Sequence, residues 1–433
     1  MARNSVREDS EVNIVYIHQY FTLPTQPGGT RSYEIGRRLV ARGHNVHMIT
    51  TYFKHRTPAP SKGWFCTTED GMTVHWLPVP YSNKMDFGDR IRAFLKFAVA
   101  AAWRASSVDA DVVFASSTPL TVAIPALYAS WRLRVPMVFE VRDLWPQVPI
   151  EMGVLRNPIL IAISRILESL TYKKASQIVA LSPGMKKGIA RASIDENKIH
   201  VIPNAADLAS FDVPESEGES FRNQYEWLGH RALVVYVGTL GKANGVGYLV
   251  KLASAAKAID PEIRFAIFGD GKERAETEDL ARTLGVLGEN LFMMGSIPKN
   301  DVPRVLSAAS MATSTFIDVP ALWDNSANKV FDALAAGRPV AINYQGWQAD
   351  FLRESGAGIV LKVDDIDASA RMLANALHDT GWLSSARKAA RKLAVERFSR
   401  DRLAIEVENV LTRAIARFTN TLEKGKPSYE KAL

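Results

Sequence analysis

DNSANKVFDALAAGRPV, residues 324–340, sets an acid at Asp324, a second at Asp332 and a lysine, Lys329, between them. The spacing predicts a helix over Asn328–Ala336 that carries Lys329 and Asp332 on one face. A turn at Gly337 and an apolar strand, Val340–Asn343, follow. A helix of this kind offers free N–H groups to a phosphate at its start and a carboxylate to a sugar hydroxyl one turn on. The same residues would also suit a solvated ion pair, but the ALAAG around them argues for a packed helix.

Working outward, the helix–strand step recurs along the whole chain. Asn13–Ile17, Val46–Thr50, Val112–Ala115, Met137–Val141, Ile178–Leu181 and Ile199–Ile202 are apolar runs without polar alternation, as in parallel strands covered on both faces. Helical patterns separate them: Arg31–Arg42, Asp89–Arg104, Leu120–Leu133, Pro158–Lys173 and Pro183–Arg191. The pattern restarts at Leu233–Val237 and continues through Phe265–Phe268, Leu291–Met294, Met311–Thr315 and Val340–Asn343. The reading is α/β, two Rossmann-like doubly wound domains over 12–206 and 231–400 facing a central cleft. Residues 207–230, polar with PESEGES at the centre, are expected to link them. Residues 401–433 form a terminal helix and tail, and residues 1–11 a disordered tail without a signal peptide.

At 433 residues, two cores are the natural expectation. A single cysteine, Cys66, excludes an internal disulfide framework and reads as a buried or incidental thiol. No apolar run reaches the length of a membrane span. The net charge of +7 is uneven: residues 1–200 hold 25 Lys or Arg against 16 Asp or Glu, and residues 201–433 hold 28 against 30. The first half is expected to meet something anionic, a diphosphate or a lipid surface. Nucleic acid is disfavoured, because no basic run is interleaved with stacking aromatics. Arg90, Arg92, Lys96 and Arg104 flank apolar residues in one helical segment, which suits either an anionic leaflet or a core-packed helix with a basic edge.

In doubly wound sheets, ligands sit beyond the C-terminal strand ends. After the first strand, Gly28 and Gly29 precede a helix and permit close backbone approach, or only a flexible turn. After Val141, the run FEVRDLWP supplies Glu140, Arg142, Asp143 and Trp145, read as hydroxyl-binding charges and a ring face on an acceptor side, or as an Arg–Asp pair that only orders the loop. The loop Gly238, Thr239, Gly241, Lys242 up to Gly245 suits a phosphate without matching GxGxxG, and Gly269 and Gly271 make a second close-approach turn. The histidines lack metal-ligand spacing, and the Asp109/Asp111 pair lies at a strand's N-terminal end, so no metal site is expected.

With these loops in order, the chain resembles the retaining glycosyltransferases of family 4, which have the GT-B fold, over about residues 12–418. The acid–seven residues–acid element from Asp324 to Asp332, followed by Ala335, Ala336, Gly337, Pro339 and Val340, carries most of the resemblance. PNAAD (203–207), GDG (269–271) and LSPGM (181–185) support it. Both acids are Asp where the family has Glu. Thr239 and Asn244 stand where many members have Arg and Lys. With RDLWP and Asn328–Lys329, these departures resemble the bacterial N-acetyl-fucosamine transferase-like subgroup of polysaccharide biosynthesis.

The resemblance implies transfer, with retention, of a hexosyl or N-acetylated amino sugar from a UDP-sugar to a glycan or undecaprenyl-diphosphate-linked acceptor in O-antigen, capsule or exopolysaccharide assembly. It further implies a cytoplasmic location, at the inner face of the membrane, with no metal and no cofactor. Asn328, Lys329, Asp332 and the glycine loops would bind the donor. Asp143, Lys329 and Asp324 would act at the reaction. A nucleotide-sugar 2-epimerase of similar fold and a non-catalytic nucleotide-sugar-binding protein stay open as alternatives.

Overall fold

The computed structural model describes residues 11–26, 29–52, 62–80 and 85–424. The expected tail before Glu11, the glycine at position 28 and the chain end beyond Lys424 lie outside the described residues. The first sheet holds β1 (Asn13–Ile17), β2 (Asn45–Tyr52), β3 (Phe65–Glu69), β4 (Met72–Pro78), β5 (Val112–Ser116), β6 (Met137–Val141), β7 (Gln177–Ala180) and β8 (Ile199–Val201). Their order is β3-β4-β2-β1-β5-β6-β7-β8, parallel except for β3. The second sheet is fully parallel. It holds β9 (Leu233–Val237), β10 (Arg264–Phe268), β11 (Leu291–Gly295), β12 (Met311–Ser314), β13 (Val340–Ile342) and β14 (Gly358–Val360), in the order β11-β10-β9-β12-β13-β14. In both, the order reverses beside the first strand, which opens a crevice there. The fold is thus the expected pair of α/β Rossmann-like domains.

Central strands are buried on both faces, as β5 and β6 show throughout. Helices α1 (Arg31–Ala41), α2 (Phe87–Ala105), α3 (Ala123–Leu133), α4 (Pro158–Lys174) and α5 (Pro183–Ala190) cover the first sheet. Ala93, Phe97 and Ala101 of α2, Ala126 and Ala129 of α3 and Tyr172 of α4 share one core with β5 and β6. On the opposite face, Leu403, Val407 and Leu411 of the terminal helix α8 (Arg400–Lys424) pack with Ile14 and Tyr16. The expected C-terminal helix therefore crosses back and completes the first domain.

Three readings need correction. The hairpin β3–β4 has no counterpart in the predicted strands, because β3 is an edge strand with alternating burial. Its Asp70–Gly71 turn pairs Cys66 with His75. Cys66 is consequently exposed, with its Sγ 3.3 Å from His75 Nδ1 and 3.3 Å from an Arg104 guanidinium nitrogen, so of its two readings, buried or incidental, the buried one falls. Residues 207–230 are not a free linker. Helix α6 (Glu215–Arg222) forms within them, and Phe211, Phe221 and Leu228 enter the second domain's core. The acidic run hides that apolar side.

The chain crosses between domains near Ala206 and again at Ser399, and the two crossings pair with each other. An ion network, buried at Glu34, Arg38, Asp207 and Arg400, secures them. Arg38 contacts Glu34, Asp207 (2.9 Å) and Asp401 (2.6 Å), Arg37 contacts Asp207, and Arg400 reaches Glu34 (3.2 Å). Burial alone would raise the Asp207 carboxyl, but its bond to Arg38 and the charges of Arg38, Arg37 and Arg400 hold it below its ordinary value. Its stabilising contribution is therefore complete above the usual carboxylate range and is lost as the pH falls through its folded value. Asp207→Asn should lower stability at neutral pH by about 3 kcal/mol, the scale of one broken buried pair. Thermal melts taken at descending pH should show the gap from wild type closing.

Candidate functional site

The C-terminal strand ends of both sheets face a cleft of about 930 Å³. Its wall includes Gly29, Arg142 and Asp143 from the first domain, and Gly238, Thr239, Gly269, Gly271, Asn328, Lys329 and Asp332 from the second. Ten residues singled out in the sequence thus converge there.

The glycine loops are shaped by close contact. A methyl on Gly238 would lie 2.9 Å from Lys329 Cε, so this glycine lets the lysine stem pass. Methyls on Gly269 and Gly271 would overlap the carbonyl oxygens of Gly238 and Leu240, which locks the two loops together. Helix α7 (Asn328–Ala335) begins at the cleft, and no side chain caps its N-terminus. Its first N–H groups are the ones a phosphate would use.

Lys329 is held where those elements meet. Its Nζ donates to Asn244 Oδ1 at 2.9 Å and stands 4.9 Å from the Tyr236 ring centroid and 5.6 Å from that of Phe316. No salt bridge to it exists among the described residues. Burial lowers its pKa to about 8. It is therefore a desolvated cation without a counter-anion. If that charge serves turnover, kcat/KM should fall as the pH rises through about 8, where the free protein loses it. A profile that stays flat through that range would remove Lys329 from the reaction.

Asp332 lies one helical turn further in and is buried. Its Oδ2 accepts from Lys299 Nζ, while Oδ1 is buried without a partner. A buried carboxylate oxygen without a donor is costly, so the site lacks one hydroxyl or N–H. Lys299 and Arg400 also line the cleft and were not anticipated. Lys299 follows β11, in a loop that the strand-end rule would have flagged. Arg400 reaches the cleft from the second domain crossing, which nothing local in the sequence announces.

On the first domain, Asp143 is pushed up to about 6 by burial, against the charge of Arg142. Arg142 donates to His18 Nε2 at 3.1 Å, and His18 Nδ1 lies 2.7 Å from Ser32 Oγ. Burial, with Arg142, drives His18 well below its ordinary value, so it is a neutral prop behind Arg142. Gly29 faces the second domain: a methyl there would sit 3.2 Å from Asn328 Nδ2 and 3.7 Å from Arg142. The domains are further tied by Asn204, whose backbone N–H donates to Ser326 Oγ at 2.9 Å.

Other candidates lie elsewhere. Glu140 is fully buried, with one oxygen on Arg31 (2.8 Å) and the other on Ser116 Oγ (2.6 Å). It anchors α1 to β6 and is not part of the cleft wall. Trp145 packs half-buried on the first core and is not part of the cleft wall. Lys242 is exposed and reaches Met152 O at 3.5 Å instead of the cleft, and Gly241 is likewise outside its wall. Asp324 rests against Gly184 at the start of α5, where any side chain on that glycine would overlap its carboxylate. Burial raises Asp324, with Lys187 and Arg191 opposing. Its place is the contact between domains. Asp111 accepts from the Asn13 N–H at 2.8 Å, a structural bond.

Comparison with known proteins gives two family matches. Residues 28–205 match the glycosyl transferase 4-like domain, and residues 218–393 match the glycosyl transferases group 1. The uncharacterized glycosyltransferase MJ1607 of Methanocaldococcus jannaschii is 24% identical over 56% of this chain and 62% of its own length. The UDP-Gal:alpha-D-GlcNAc-diphosphoundecaprenol alpha-1,3-galactosyltransferase of Escherichia coli is 25% identical over 49% of this chain and 54% of its own. This chain therefore spans somewhat over half the length of these relatives. The structure of HepE from Anabaena in complex with UDP and glucose superposes with a TM-score of 0.70 at 16% identity, covering 93% of this chain and 100% of that one.

Proposed function

From a GT-B chain whose two halves belong to the glycosyl transferase 4-like and group 1 glycosyltransferase families, we propose that it is a retaining glycosyltransferase acting on a nucleoside-diphosphate sugar, with UDP as the nucleotide. The observation that carries this reading is Lys329, a half-buried cation with no carboxylate partner among the described residues, beside the uncapped start of α7 and the unpaired Oδ1 of Asp332. A diphosphate supplies the missing anion and a ribose hydroxyl the missing donor.

In this reading the donor's anomeric C–O bond to phosphate breaks while the acceptor hydroxyl attacks from the same face. The acceptor proton passes to the departing phosphate oxygen. Lys329, itself partly desolvated, and the first N–H groups of α7 hold the charge that develops on that oxygen. No protein nucleophile is required. Asp143 and Arg142 wall the side from which the acceptor enters, an N-acetylated or deoxyamino sugar fits the subgroup resemblance, and the acceptor is a growing glycan or its polyprenyl-diphosphate-linked precursor. The likeness to the Escherichia coli galactosyltransferase, whose named acceptor is a diphosphoundecaprenol-linked sugar, supports the lipid-linked acceptor.

Thermal stabilisation by a panel of nucleotide sugars, followed by turnover with the tightest binder, tests the reading. A transferase releases UDP only when an acceptor is present. Binding without turnover under any acceptor would leave a nucleotide-sugar-binding protein, and isomerisation of the donor alone would mark an epimerase.

A further inference from the structure

The outer side of the first domain carries an apolar surface that no segment among the described residues covers. Helix α4 gives its inner side, including Tyr172 and Leu167, to the core. Its outer side exposes Ile159, Ile163, Ile166 and Leu170. Their spacing of four, three and four residues puts them in one stripe along the helix. Helix α2 exposes Leu95, Val99 and Trp103, again at helical spacing, with Trp103 67% exposed. On α3, Trp131 is 72% exposed. Tyr128 bridges the two tryptophans, with ring centroids 5.6 Å from Trp103 and 5.9 Å from Trp131. Helices α2, α3 and α4 pack side by side over the same face of the first sheet, so the stripes form one surface.

Charge singles out the same surface. The three helices hold eight Lys or Arg and two Asp or Glu, so they account for six of the chain's seven net positive charges. The remainder of the chain is almost neutral. Arg104 is spent on His75 and Cys66, and Arg92 on Asp89, but Lys96, Arg132, Arg165, Lys173 and Lys174 have no salt bridge among the described residues. An apolar stripe edged by basic residues, with tryptophan and tyrosine among them, has the chemistry of the water–lipid boundary.

We propose that the α2–α3–α4 face docks on an anionic lipid bilayer. Anionic headgroups meet the surplus charge, each basic residue adding to the attraction within a Debye length. The isoleucines and tryptophans enter the headgroup boundary. A second copy of the chain is a poorer occupant, because a two-fold contact would press two surfaces of like charge together. No described helix is long and apolar enough to cross a membrane, so the contact lies along the surface. Helix α4 begins at the same sheet edge as the cleft, shortly after Arg142 and Asp143. Docking on this face would set the cleft rim beside the lipid headgroups.

Co-sedimentation of the full chain with phosphatidylcholine vesicles, and with vesicles containing phosphatidylglycerol, tests this independently of any sugar transfer. Wild type should pellet with the anionic vesicles at low salt, stay in solution with the neutral ones, and be released by added salt. Ile163→Ser combined with Ile166→Ser should lower partitioning about tenfold or more. Both side chains are exposed, so the melting temperature should hold and separate lost docking from lost fold. Wild type that remains in the supernatant with anionic vesicles, or that binds equally well after the double substitution, overturns the proposal. So does a lipid-independent dimer, seen by sedimentation velocity, that the double substitution dissolves.

Discussion

Lys329→Met should lower the rate of sugar transfer by about 10²- to 10³-fold, the cost of removing one fixed stabiliser of developing charge. The effect should be large here because the loop opposite offers no substitute. Thr239 and Asn244 stand where the family resemblance expects cations, and Lys242 points away to Met152. Asn244 instead accepts a hydrogen bond from Lys329 and so holds its Nζ in place. The same substitution should raise thermal stability. The folded chain depresses the lysine's pKa by burial, so the cation costs folding free energy at neutral pH that methionine of similar length does not. Rate and melting temperature should move in opposite directions, as at other sites where function is kept at a cost in stability. Measured together, a variant with full activity removes Lys329 from the site, and one that melts lower shows that its packing, not its charge, was the main contribution.

Asp332→Asn should weaken UDP binding by about tenfold to a hundredfold and leave the fold intact. A carboxylate accepts on both oxygens, whereas an amide accepts on one and donates from the other. Lys299 requires an acceptor, so the amide oxygen must face it, and the NH₂ group then replaces Oδ1, which is the atom without a partner. The ribose hydroxyl loses a charge-assisted bond, worth on the order of 1.5–3 kcal/mol. Asp332→Ala differs in kind. It strands Lys299 in the interior, where burial already depresses its pKa. Breaking such a pair costs roughly 3–5 kcal/mol of stability. Calorimetry of UDP binding with thermal melts separates the two effects. Adding Lys299→Met to Asp332→Leu should recover stability but not affinity, and the size of that recovery is the coupling between the two residues. Unchanged affinity in Asp332→Asn would end the ribose role.

The strands and helices that build the cleft were legible because buried parallel strands repeat a simple apolar signal. Eleven of the fourteen strands follow that signal. The exceptions are β3, β4 and β14: β3 and β14 are edge strands without two-sided burial, and in β4 Thr73 and His75 interrupt the apolar run although the strand is largely buried. The site was legible in part. Glycines before helices at strand ends were found because close backbone approach to a ligand is one use of a glycine there. Glu140 and Trp145 were misplaced because a strand-end charge or aromatic looks the same whether it turns into the cleft or back into the core. Glu140 turns back, since Arg31, far away in sequence, supplies its buried counter-charge.

By itself, the sequence determined the alternation of elements, the two-domain division and the acid–lysine–acid helix, because each rests on spacing within one or two turns or strands. Tertiary structure decided which of those groups share a space. It paired Asp332 with Lys299, seated Lys329 on Asn244 and two aromatic rings, and turned Asp324 towards Gly184. It also brought three helices' exposed faces into one basic, apolar surface. These are contacts between residues distant along the chain, and their partners are set by how the sheets and crossings pack, which no local periodicity encodes.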